Sequence, residues 1–113
     1  MGKFSRDKGK RGELSFCHLC EDNGITGVAR TAQCKGKTGA AGDVEGLAGF
    51  HVECKAVERL NLREAMAQSV RDSEAEGAGN IPIVAHKKNR DGWLVTMRAE
   101  DFFKIYKENR GIE

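Results

Sequence analysis

The residues best equipped for chemistry in this chain lie in one short stretch, Gly42-Asp43-Val44-Glu45-Gly46-Leu47-Ala48-Gly49-Phe50-His51-Val52-Glu53-Cys54-Lys55. It reads as a β-hairpin with an acid on its first strand and an acid–x–lysine on its second. In the second strand, alternation sends Phe50, Val52 and Cys54 to one face and His51, Glu53 and Lys55 to the other. A two-residue turn at Ala48-Gly49 would turn Asp43 away from Glu53. A three-residue loop, Leu47-Ala48-Gly49, ends on the glycine that its left-handed last position favours. It pairs Asp43 with Glu53 and Val44 with Val52, and this is the expected register. Two carboxylates placed opposite each other repel, so a counter-charge is required. Lys55 is one such charge, and a divalent cation is another. Hard oxygen donors suit Mg²⁺ or Mn²⁺. The expected ligands are Asp43, Glu53 and the backbone carbonyl of Cys54. Lys55 would orient or help deprotonate a water and offset phosphate charge, which is the apparatus of phosphodiester hydrolysis.

Acid followed by Glu-x-Lys is common by chance, so the flanking elements carry weight. A first helix is expected from about Ser5 to Asp22, stopped by Asn23-Gly24 and weakened at its start by Gly9 and Gly12. Within it Glu13 shares the apolar face of Phe16, Cys17 and Cys20, and a carboxylate on an inward face needs a reason. Val28–Gln33 is a short candidate strand, and Lys35–Gly42 is a Gly-rich loop. Asn61 to about Glu76 is a helix, with Leu62, Met66 and Val70 as its apolar stripe and Asn61, Glu64 and Gln68 on its polar side. Ile81–His86 is a buried strand, Asn89-Arg90-Asp91-Gly92 a turn, and Trp93–Arg98 a further strand. Ala99–Asn109 is a last helix anchored by Phe102, Phe103 and Tyr106. The resulting order is αβββαββα.

At 113 residues and 32% charged, the chain suits one domain over 1–113, with residues 1–8 a flexible basic lead-in. No window is long and apolar enough for a membrane span, and no apolar stretch follows the N-terminus, so the expected location is the cytoplasm. Net charge is only +2. The basic residues nevertheless cluster: Lys8, Lys10 and Arg11; Lys35 and Lys37; Lys87, Lys88 and Arg90. With Arg30, these are the candidate DNA contacts. Cys17-His18-Leu19-Cys20 has the spacing of half a zinc site, but Cys34 and Cys54 do not form the other half. All four cysteines are expected as reduced thiols. His51 and His86 are read as polar strand residues, and Trp93 as core or interface.

The arrangement Gly12-Glu13, Gly42-Asp43, Val52-Glu53-Cys54-Lys55 and Gln68, followed by the strand Ile83–Lys88, resembles the PD-(D/E)XK nuclease superfamily. It is most similar to the small Holliday junction resolvases of archaea and phages. The resemblance spans roughly residues 9–106 and rests on few identities. It implies an α/β restriction-endonuclease-like mixed sheet flanked by helices. It further implies Mg²⁺ or Mn²⁺ held by Asp43 and Glu53, with Glu13 contributing directly or through water. Lys55 and Gln68 join the catalytic set, and the partners are four-way DNA and a second copy of the chain. Gly42 stands where the family often has proline. Two alternatives stay open: the same fold cutting flaps, ends or duplex, and a DNA-binding domain without activity.

Overall fold

A computed structural model of the chain describes residues 3–31 and 41–113, with side chains described from Asp7 onward. The elements are α1 (Lys3–Asp22), β1 (Ala29–Arg30), β2 (Val44–Glu45), β3 (Phe50–Ala56), α2 (Leu62–Glu76), β4 (Ile81–Lys87), β5 (Leu94–Met97) and α3 (Ala99–Arg110). The protein is mixed α/β. Its five strands form one sheet in the order β1-β2-β3-β4-β5. β1–β2, β2–β3 and β4–β5 are antiparallel, while β3–β4 is parallel. Parallel neighbours require a crossover, and α2 supplies it. No helix among the described residues is long and apolar enough to cross a membrane.

β3 is the central strand, and α1 and α2 both pack on it. Phe16, Cys17 and Cys20 of α1 join Val44, Val52, Ile83 and Ala85 in the apolar core. Gly12 permits this approach, because a Cβ there would stand 2.8 Å from the Ala56 side chain. The glycine expected to weaken the helix therefore seats it. α1 starts earlier than expected, at Lys3, so the supposed lead-in is partly helical. It ends where Asn23-Gly24 indicated, with Gly24 at φ 79°. β1 is shorter than expected, and Gln33, Cys34, Lys35 and Lys37 lie outside the described residues.

Two expected apolar faces are displaced. On α2 the buried residues are Ala65, Ser69 and Ser73, while Leu62, Met66 and Val70 are only half-buried. Small side chains bring the helix close to the sheet, and their hydroxyls bond carbonyls of β4 and of the residue just before it. Ser69 Oγ donates to the Ile83 carbonyl at 3.0 Å, and Ser73 Oγ to the Asn80 carbonyl at 2.8 Å. On α3 the expected anchors Phe102, Phe103 and Tyr106 are exposed, and the helix buries no residue.

The β2–β3 hairpin takes the expected register, Val44 opposite Val52. Gly49 sits at φ 90° at the end of the Leu47-Ala48-Gly49 loop, where Phe50 N–H donates to the Leu47 carbonyl at 3.1 Å. Gly46 at φ 92° is more constrained, because a Cβ there would strike the Gly27 carbonyl and lie 3.1 Å from Val28 Cα. Gly49→Ala meets only the backbone penalty, since nothing lies within 4 Å. In urea unfolding it should therefore cost about 1–2 kcal/mol. Gly46→Ala should cost more, and equal losses in the two variants would contradict this packing.

Candidate functional site

Beyond Val44 the strand no longer follows a plain ladder. Asp43 N–H donates to the Val52 carbonyl at 2.8 Å, and Asp43 Oδ2 accepts the Cys54 N–H at 2.9 Å. The direct Asp43–Glu53 pairing expected from the register is replaced by this arrangement. Asp43 lays its carboxylate against the edge of β3, on the peptide that joins Glu53 to Cys54. The backbone donor thus becomes part of what holds the acid in place.

Glu53 is 1% exposed. The face expected to meet a cleft or solvent is covered by α2. A carboxylate this deep needs partners, and His51, itself 2% exposed, is one of them. His51 Nε2 lies 3.2 Å from Glu53 Oε1, and Nδ1 lies 3.2 Å from Glu76 Oε1. Burial works against a charged imidazole, but hydrogen bonds to Glu53 and Glu76 outweigh it and raise the His51 pKa. Asp72 of α2 completes the group. One ligand atom each from His51, Glu53 and Asp72 lie within 4.8 Å of one another, the set of three that so converges among the described residues.

His51 is thus more than a polar strand residue, and Asp72 and Glu76 are additions that sequence reasoning missed. The signal was present: each follows a buried serine, Ser69 or Ser73, by three residues, one helical turn along the inward face. Following Leu62, Met66 and Val70 directed attention to the neighbouring face.

Glu13 is not drawn into that cluster. It forms an ion pair with Arg30 at 2.8 Å, both side chains under one-fifth exposed. Arg30, a candidate DNA contact, is thereby committed to α1. Glu13 and Asp43 nevertheless flank a common neighbour, Cys54. Burial first, then Asp43 and then Glu13, hold the Cys54 thiol far above its ordinary pKa.

Lys55 and Gln68 do come together. They line a groove of about 300 Å³ with Leu60, Asn61 and Glu64. Asn61 caps α2, its side chain accepting the Glu64 N–H at 3.1 Å. On the other side of the molecule, Arg11 and Lys87 line a groove of about 550 Å³ beside Trp93 and Asp91. Lys87 Nζ stands 5.9 Å from the Trp93 ring centre, and Trp93 packs on Phe16. Lys10, Lys88 and Arg90 are exposed, and Lys8 is half-buried. His86 is held by Thr96 at 2.9 Å and keeps the structural role expected of it.

Among the described residues the donors that converge closely enough for a divalent cation are His51, Glu53 and Asp72, two carboxylates and one imidazole nitrogen, a set that suits Mn²⁺ or a later transition ion. Comparison with family models, curated proteins and solved structures finds no match.

The thiols around this site are packed as small hydrophobes. Burial foremost, then the neighbouring Cys20, pushes the Cys17 thiol up to about 11 from 9.0. Near neutral pH its thiolate fraction falls about 100-fold. Iodoacetamide labelling followed by peptide mass spectrometry should show Cys17 modified at least that much more slowly in the native protein than in guanidinium. Comparable rates would mean that the α1 face is open.

Proposed function

We propose that this protein is a metal-dependent endonuclease with a restriction-endonuclease-like fold, acting on branched DNA and suited to four-way junctions. The carrying observation is the Asp43 carboxylate resting on the Glu53–Cys54 peptide N–H, with buried Glu53 on one side of that peptide and Lys55 following Cys54 on the other. Asp43, Glu53 and Lys55 are the residues that the resemblance to resolvases anticipates, and the contact of Asp43 with the Glu53–Cys54 peptide supports that reading.

A bound divalent cation would supply Lewis-acid stabilisation of the phosphate and a more acidic water. Asp43 and Glu53 would hold it, with the Cys54 carbonyl as a further oxygen. The residues themselves do the rest. The hydrogen bond from Cys54 N–H fixes the Asp43 carboxylate, and His51 restrains Glu53. Lys55 provides positive charge and a proton-handling group at the strand end, and Gln68 in the same groove offers an amide to position water or phosphate. Arg11 and Lys87 are separate candidates for phosphate contact along the flanking DNA. Two copies acting together would nick two strands.

The test is cleavage of a labelled four-way junction beside linear duplex, flap and single-stranded controls. Mg²⁺-dependent, paired nicks on the junction are expected. Asp43→Asn and Lys55→Ala should each lower the rate at least about 100-fold while circular dichroism and Tm stay near the parent's. Parental cleavage by either variant would overturn the site, and cleavage of flaps or duplex alone would transfer the activity to those substrates.

Metal binding has its own readout. Mn²⁺ should raise Tm in the parent by linkage, and the rise should vanish in Asp43→Asn while persisting in Asp72→Asn. The reverse pattern would place the ion on the His51 side of Glu53.

A further inference from the structure

α3 poses a problem that its own domain does not solve. The helix has 12 residues and buries none of them, and a helix this short is marginal in water without a packing partner. Its aromatic residues are gathered rather than scattered. Phe102 contacts Phe103 at 5.6 Å and Tyr106 at 6.5 Å between ring centres. Their exposures are 53%, 58% and 50%. Leu94 and Val95, on the strand just before, and Ile112, just after, are also more than half exposed. β5 is the last strand of the sheet, with β4 on one side and no strand on the other among the described residues. Leu94 and Val95 alternate to opposite faces of β5, so the continuous patch is the three rings. At roughly 100 Å² each they show about 300 Å² of apolar surface, the size of a large patch on a monomer.

The charges around the stripe say what covers it. At 100° per residue, Phe102, Phe103 and Tyr106 centre one face of α3. Glu100 and Lys107 fall on the same flank of that face, one near its start and one near its end. When two such helices run antiparallel about a two-fold axis, like flanks meet. Each Glu100 then lies beside the partner's Lys107, and the pair forms twice. A parallel pairing would bring unlike flanks together and form no Glu100–Lys107 pair. The dipoles agree, since the acidic first turn (Glu100, Asp101) of one helix approaches the basic last turn (Lys107, Arg110) of the other.

We propose that this face binds a second copy of the chain, α3 against α3, antiparallel, with Phe102, Phe103 and Tyr106 at its centre and reciprocal Glu100–Lys107 pairs at its rim. The inference names the surface for the paired action described above, yet it rests on this face alone and not on the cleavage chemistry.

Sedimentation of the full chain, without DNA or metal, tests it. The parent should sediment at twice its 12.4 kDa at micromolar concentration. Phe103→Glu should weaken association at least about 100-fold without lowering the Tm of the dilute protein, since the ring is exposed in one copy. Glu100→Lys and Lys107→Glu should each weaken it about tenfold, and Glu100→Lys combined with Lys107→Glu should recover most of the loss. A parent that stays monomeric up to the order of 100 µM, or a Phe103→Glu variant that dimerises normally, would overturn the proposal. Failure of the double variant to recover would overturn the antiparallel pairing. Because no cleavage is read, each result stands whether or not the protein proves to be a nuclease.

Discussion

Glu53 is the residue on which the rest of the structure is organised. A carboxylate in the central strand, with 1% of its surface in water, is costly unless its charge is matched. One partner is His51 on the same strand and face, which is in turn held by Glu76 of α2. Covering this group requires α2 to lie close, and close approach requires small residues at its contact face. Ala65, Ser69 and Ser73 meet that need, the serines also tying the helix to the start and middle of the β4 region. The opposite face of β3 obeys the other rule of the molecule. There Val52 is wholly buried among Phe16, Cys17, Ile83 and Ala85, and the contacts are apolar. One strand thus separates an apolar core from a polar, hydrogen-bonded one.

Most of the fold was legible because its signals were local. The hairpin register followed from one glycine and the alternation of Phe50–Lys55. α1 stopped at Asn23-Gly24, and the helix between the two strands stood where a crossover to parallel β4 needs it. What was not legible depended on which side of an element meets the sheet. For α2, hydrophobicity pointed to Leu62, Met66 and Val70, but proximity to a polar sheet face selected serines. For α3, three aromatics read as anchors, because sequence gives an amphipathic helix no indication of whether its apolar face meets the sheet.

The site divides in the same way. Asp43, Glu53 and Lys55 could be named from spacing, and Gln68 from its place on the following helix. Their mutual arrangement could not, because Asp43 leaves the ladder to meet the Cys54 N–H, a deviation of backbone that side-chain periodicity does not encode. Asp72 and Glu76 were hidden for a related reason: their importance arises from His51, which itself looked like an ordinary strand residue. Glu13 was correctly marked as an unusual inward acid, but its counter-ion Arg30 had been assigned to the surface.

The exposed tip of the hairpin has a consequence for how this protein can vary. Ala48 and Gly49 are exposed, although Leu47 packs against the core and Gly49 holds a left-handed backbone. The loop's length is constrained as well. Side chains alternate along each strand, so one residue gained or lost there would rotate β2 by one position against β3. Val44 would leave the core and Asp43 would swing to the wrong side of the Glu53–Cys54 peptide. A loop that seems permissive on grounds of exposure is therefore a ruler, and insertions in it would be selected against as strictly as changes to the acids themselves.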